Sequence, residues 1–130
     1  MSVVVDASIV VAALTETDHR GIWAGAVISG EELLAPDLMP YEVAQVLRRL
    51  KRSGVIRSDQ AYESFLVLGA LDIQLYPFDD LNDRIWSLRH NFSSYDAAYV
   101  ATAEIAGAPL ATLDLKMASQ PADCDFLTPP

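Results

Sequence analysis

Val3, Val4 and Val5 form a short β-branched run that stops at Asp6 and passes directly into the apolar segment SIVVAAL. A strand that is apolar throughout must be covered on both faces, so this start predicts a buried parallel strand feeding a helix. The rest of the chain repeats the alternation. Periodicity and turn residues predict a helix from Asp18 to Ser29, a strand from Glu32 to Ala35, and a helix from about Pro40 to Arg52. The last of these carries Val43, Val46, Leu47 and Leu50 at helical spacing and is closed by Gly54. Ser58 is expected to cap a helix reaching Gly69, Ile73 to Tyr76 to form a strand, and Asp79 or Asp80 to open a helix carrying Ile85, Trp86 and Leu88. Ser93 or Ser94 caps a further helix, DAAYVATAEIA, which is apolar or small nearly all round and so belongs at the centre of the packing, ending at Gly107 and Pro109. Leu110 to Leu113 reads as a strand that ends, like the first, in an aspartate, Asp114, and a short strand is expected near Asp125 to Leu127. The fold class that follows is α/β with a mainly parallel sheet.

A chain of 130 residues with 52% apolar residues can bury one core, which predicts a single domain over 1–130. No repeat, linker or low-complexity tract interrupts it. The first residues lack the cationic region of a secretory signal, and no apolar run approaches the roughly 18 residues of a membrane span, so a cytoplasmic protein without a membrane partner is expected. The lone Cys124 can form no internal disulfide and has no Cys or His at metal-ligand spacing, which fits a reducing compartment and excludes a zinc knuckle.

Open parallel sheets bind ligands outside the carboxyl ends of their strands, where Asp6 and Asp114 fall. Taken singly, the acids have simple explanations: Asp6 and Asp96 as helix caps, Glu42 as a solvated helix residue, Asp114 as the start of a turn. Their conjunction says more. Both strand-end aspartates follow apolar runs, Asp96 opens an otherwise uncharged helix, and Glu42 lies at the edge of the Val43/Val46/Leu47/Leu50 stripe, which makes it half-buried. Carboxylates converging in a half-buried pocket repel one another and call for a cation. The set is all oxygen, which selects Mg²⁺, with Mn²⁺ as a substitute, over zinc or copper. Ser8 and Thr112, each two residues from a candidate aspartate, are placed to hydrogen-bond a carboxylate or a ligand water, or simply to cap and to add strand polarity.

The N-terminal VVVDAS, the PYEVAQVL around Glu42, the SSYDAAYVATAE around Asp96 and the ATLD ending at Asp114 resemble, in order, the four acidic motifs of PIN-domain nucleases. The resemblance spans Val3 to Asp114 and is greatest to VapC toxins of bacterial toxin–antitoxin pairs. It implies a three-layer α/β/α sandwich and a Mg²⁺-dependent endoribonuclease that leaves a 5′-phosphate and a 3′-hydroxyl. It further implies a cognate antitoxin partner and a homodimer. Asp6, Asp96 and Asp114 would hold the metal directly or through water, and Glu42 would be either a ligand or the base that orients the attacking water. Many relatives carry another acid shortly after the fourth motif, where this chain has Leu115, Lys116 and Met117. The rival from another class is a catalytically silent PIN-fold binding module acting through an antitoxin complex; the presence of all four acids favours catalysis.

The formal net charge of −9 opposes an RNA partner, since non-specific nucleic-acid binding rests on basic surface. The charge is nevertheless patterned. Four of the acids belong to the candidate site, where bound cations reverse the local field. Arg48, Arg49, Lys51, Arg52 and Arg57 lie within ten positions. Arg49, two helical turns and roughly 10 Å beyond Glu42 on the same side, is the RNA-backbone candidate, against the alternative that these cations complement the negative end of their helix. A phosphotransferase with Asp6 as nucleophile lacks the second aspartate of a DxD motif, and no GxSxG elbow supports a serine hydrolase.

Overall fold

The computed structural model describes residues 1–130. Five parallel strands form its sheet: β1 (Ser2–Val5), β2 (Glu32–Pro36), β3 (Ile73–Tyr76), β4 (Leu110–Ala111) and β5 (Phe126–Leu127), in the order β3-β2-β1-β4-β5. The chain begins at the centre, builds outward through β2 and β3, and then returns to the other side of β1. The strand order therefore reverses between β1 and β4, which opens a crevice at their carboxyl ends.

Seven helices cover the sheet in a three-layer sandwich: α1 (Ala7–Thr15), α2 (His19–Gly30), α3 (Met39–Arg52), α4 (Ser58–Ala70), α5 (Phe78–Ser87), α6 (Ser94–Ala106) and α7 (Leu115–Ala118). α1 packs against α2, α3 and α4, while α5 packs on α6, and α6 lies against β1 and β2. Val3, Val4 and Val5 are buried, as a strand covered on both faces requires, and α6 is buried continuously from Ala97 to Ala103. Gly107 ends α6 with φ 64°, a left-handed turn that costs a β-carbon-bearing residue.

Most boundaries fall within a residue of the sequence reading, and three differences have a visible cause or consequence. α4 has Arg57 rather than Ser58 at its N-cap, and no side chain caps it. α5 opens at Phe78 behind Pro77, whose fixed φ suits the entry to a helix, so Asp79 and Asp80 fall in the first turn instead of opening it. β4 stops at Ala111 rather than Leu113: the Thr112 N–H still donates to the Leu127 carbonyl at 3.0 Å while its hydroxyl bonds Asp6, but the Leu113 N–H turns away to Ser8 Oγ at 3.1 Å. No helix is long and apolar enough to cross a membrane.

Candidate active site

Asp6 leaves the end of β1 only 6% exposed, at the reversal of strand order. It is the N-cap of α1, its Oδ1 accepting from the Ile9 N–H at 3.2 Å and from the Ser8 hydroxyl at 2.5 Å. Its Oδ2 accepts from the Thr112 hydroxyl at 2.5 Å, across the β1–β4 seam. Both supporting hydroxyls thus serve the same carboxylate. Burial pushes the Asp6 carboxyl above the usual range, and the bonds from Ser8, Thr112 and the backbone only partly offset it.

Thr112 also accepts the Asp114 N–H at 3.0 Å, which ties the turn after β4 to Asp6. Asp114 itself is exposed, and its Oδ1 caps the short α7 by accepting from the Met117 N–H at 3.0 Å. Asp96 is half-buried in the first turn of α6, where Ser93 rather than Asp96 is the cap. Its carboxyl is raised by burial and then by the negative charge of Asp114. Glu42, half-buried in the first turn of α3, is raised by burial and by the charges of Asp96 and Asp6, against the lowering effect of a hydrogen bond from Tyr99.

The four acids therefore come together at one edge of the sheet as an electrostatically linked set. Asp6 and Asp96 each act on Glu42, and Asp114 acts on Asp96. No three carboxylates converge tightly enough to grip an ion by themselves. The donor set is all oxygen, which suits a hard divalent cation rather than zinc or copper. Arg49 is not among the gathered groups: it lies exposed in the last turn of α3 and pairs with no carboxylate.

Tyr99 was not singled out by sequence reasoning. One turn after Asp96 on α6, it is almost fully buried and donates its hydroxyl to Glu42 Oε1 at 2.5 Å, joining α6 to α3. Burial, then the hydrogen bond and charge of Glu42, keep its phenol protonated. The i, i+3 spacing from Asp96 was the available signal, but a tyrosine inside YDAAYVATAE reads first as core.

The PIN domain family matches residues 3–122. The chain belongs to the PIN-domain family. Among curated relatives of this PIN domain, Ribonuclease VapC9 of Mycobacterium tuberculosis is 36% identical over 115 residues, covering 88% of this chain and 87% of the relative. Ribonuclease VapC3 of Pyrobaculum aerophilum is 37% identical over 125 residues, covering 92% and 95%. The PIN-domain sandwich is also similar to the crystal structure of VapBC2 from Rickettsia felis bound to a DNA fragment from their promoter. The TM-score is 0.71, over 98% of both chains at 14% identity, a likeness of fold.

Proposed function

We propose that this PIN domain is a Mg²⁺-dependent endoribonuclease and the toxin of a toxin–antitoxin pair, working in the cytoplasm as a homodimer held in check by its antitoxin. The observation that carries the reading is the gathering of Asp6, Glu42, Asp96 and Asp114 beside the strand-order reversal, where burial raises the carboxyls of Asp6, Glu42 and Asp96 and neighbouring acid charge adds to it at Glu42 and Asp96. The curated relatives named VapC ribonucleases support it.

When bound, Mg²⁺ would supply a nucleophilic water at neutral pH and offset charge developing on the phosphate. Asp6, Asp96 and Asp114 would hold it, directly or through water. Asp6 is the fixed member, locked by three donors, whereas Asp114 is exposed on the solvent side, where a strand of RNA arrives. Glu42 has one oxygen anchored by Tyr99 and a carboxyl raised toward the working range of a general base; its role is to take the proton from the attacking water. The hydroxyls of Ser8 and Thr112 hold Asp6 in the orientation the site needs.

The test is to incubate the protein with a pool of cellular RNA, with and without Mg²⁺, and to map the ends of the products. Internal cuts that need Mg²⁺ and leave 5′-phosphates and 3′-hydroxyls support the reading. An intact pool under both conditions returns the chain to the role of a binding module.

A further inference from the structure

α6 presents two neighbouring faces at the carboxyl edge of the sheet. Asp96 and Tyr99 turn toward Glu42, while Ser94, Tyr95 and Ala98 line a cavity of about 390 Å³ closed on its other sides by α5 and the loop after β2. The aromatic residues at this cavity are exposed to a degree unusual for their type. Trp86 is 68% exposed, Tyr95 65% and Phe78 61%, although aromatic surface is the most favourable to bury. Asp37 and Asn82 also line it and add hydrogen-bonding groups. At its rim the Arg89 guanidinium lies over the Trp86 ring, 4.6 Å from its centroid, and donates to the Trp86 carbonyl, so a fixed positive charge stands beside the ring in a chain of net charge −9.

We propose that this cavity takes an unpaired base of the RNA strand whose backbone crosses the carboxylates, with Tyr95, Phe78 and Trp86 as the stacking surfaces and Arg89 beside a neighbouring phosphate. The inference rests on the ribonuclease reading above. Size, chemistry and position agree. The volume admits a planar base with room for its sugar. Exposed rings, polar side chains and a cation are the combination by which proteins hold splayed-out bases of single strands. Tyr95 is the residue immediately before Asp96, so a base seated there keeps its own backbone within a nucleotide or so of the acids. The continuity with the carboxylates, through Tyr95 beside Asp96, favours a strand that reaches the acids over a second copy of this chain.

The experiment uses the whole chain and the variants Tyr95→Ala, Tyr95→Phe, Phe78→Ala and Trp86→Ala, all at exposed positions. Cleavage of unpaired RNA is read as KM and kcat. Binding of a short single-stranded RNA and of an abasic ribose-phosphate oligomer of equal length is read by fluorescence polarisation in Ca²⁺, and light scattering gives the mass of each variant. The three alanine variants should each raise KM and weaken RNA binding roughly tenfold. kcat should stay close to the parent value, Tyr95→Phe should stay close to wild type, and abasic-oligomer binding should not change. Unchanged KM and RNA affinity, or equal losses for the abasic oligomer, overturn the base site. So does a fall from dimer to monomer, which would mean that a second copy covers the aromatics. Failure of the ribonuclease reading looks different: wild type cuts nothing, yet polarisation still reports whether RNA binding is lost with the rings.

Discussion

Asp6 and Glu42 are each held by a hydroxyl drawn from a distant part of the chain. The Thr112 bond to Asp6 bridges 106 positions and the Tyr99 bond to Glu42 bridges 57. Neither partner can be chosen before the sheet order is known. These long-range bonds give separate predictions. Thr112→Val keeps the shape but leaves a buried carboxylate short of a donor, and should lower stability by about 1–3 kcal/mol in urea unfolding. Tyr99→Phe removes only the hydroxyl. Because that bond lowers the Glu42 carboxyl, its loss lets the carboxyl rise further, and the acid limb of the kcat profile should move to higher pH with kcat reduced about tenfold. A stability loss with an unmoved acid limb would make Tyr99 a packing residue only. Asp96→Asn should abolish Mg²⁺-dependent cleavage while keeping the fold, since an amide is a poor ligand for a hard cation. The four acids were legible in the sequence because each sits beside a local signal: a strand end, an amphipathic stripe, a cap. What joins them was not legible, because it spans the chain.

Periodicity located the helices, strands and central α6, yet their ends shifted wherever a backbone group had a better partner outside its own element. β4 is the instance: the Ser8 hydroxyl takes the Leu113 N–H out of the ladder, while the Thr112 N–H still pairs with β5. Contacts between elements were equally hidden. Arg84 of α5 reaches Glu104 of α6 through both carboxylate oxygens, and the Asp123 N–H donates to the same carboxylate at 2.8 Å, clasping two helices and the C-terminal segment. Burial alone would raise Glu104, but Arg84 and the Asp123 N–H outweigh it and hold the carboxyl below its usual value. A depressed folded value means that this clasp stabilises above the ordinary glutamate range and fails as pH falls through the lowered value. Arg84→Ala should therefore cost about 1 kcal/mol near neutral pH, after allowance for the partial exposure of Arg84, and progressively less as pH falls below the ordinary glutamate range, as read from a series of urea melts. Between α1 and α2, a β-carbon on Gly21 would stand 2.1 Å from the Glu16 carbonyl oxygen. Gly21→Ala should cost about 1–3 kcal/mol by forcing the two helices apart.

For the whole molecule, the net charge of −9 argued against RNA when read as a sum, whereas the fold concentrates four of those charges at one crevice. Arg49 and its basic neighbours remain exposed on α3, available to phosphates or to the end of their helix. If Arg49 meets RNA backbone, Arg49→Ala weakens binding mainly at low salt and reduces the salt slope by about one; an unchanged slope assigns it to the helix end. The crevice also sets the stability of the molecule. Asp6, Glu42 and Asp96 all have raised carboxyls, so the fold is favoured while they are protonated and loses that contribution as pH rises through their folded values, the opposite sign to Glu104. Near neutral pH the metal-free protein carries their repulsion, and a cation should relieve it. The direct measurement is a pair of thermal melts, wild type and Asp96→Asn, with and without Mn²⁺ at constant ionic strength. At roughly 100 times its dissociation constant, Mn²⁺ should stabilise the wild type by about 2.7 kcal/mol. Asp96→Asn without metal should match or exceed the wild type, and its response to Mn²⁺ should largely vanish. Equal Mn²⁺-induced shifts in the two proteins would contradict a shared carboxylate metal site.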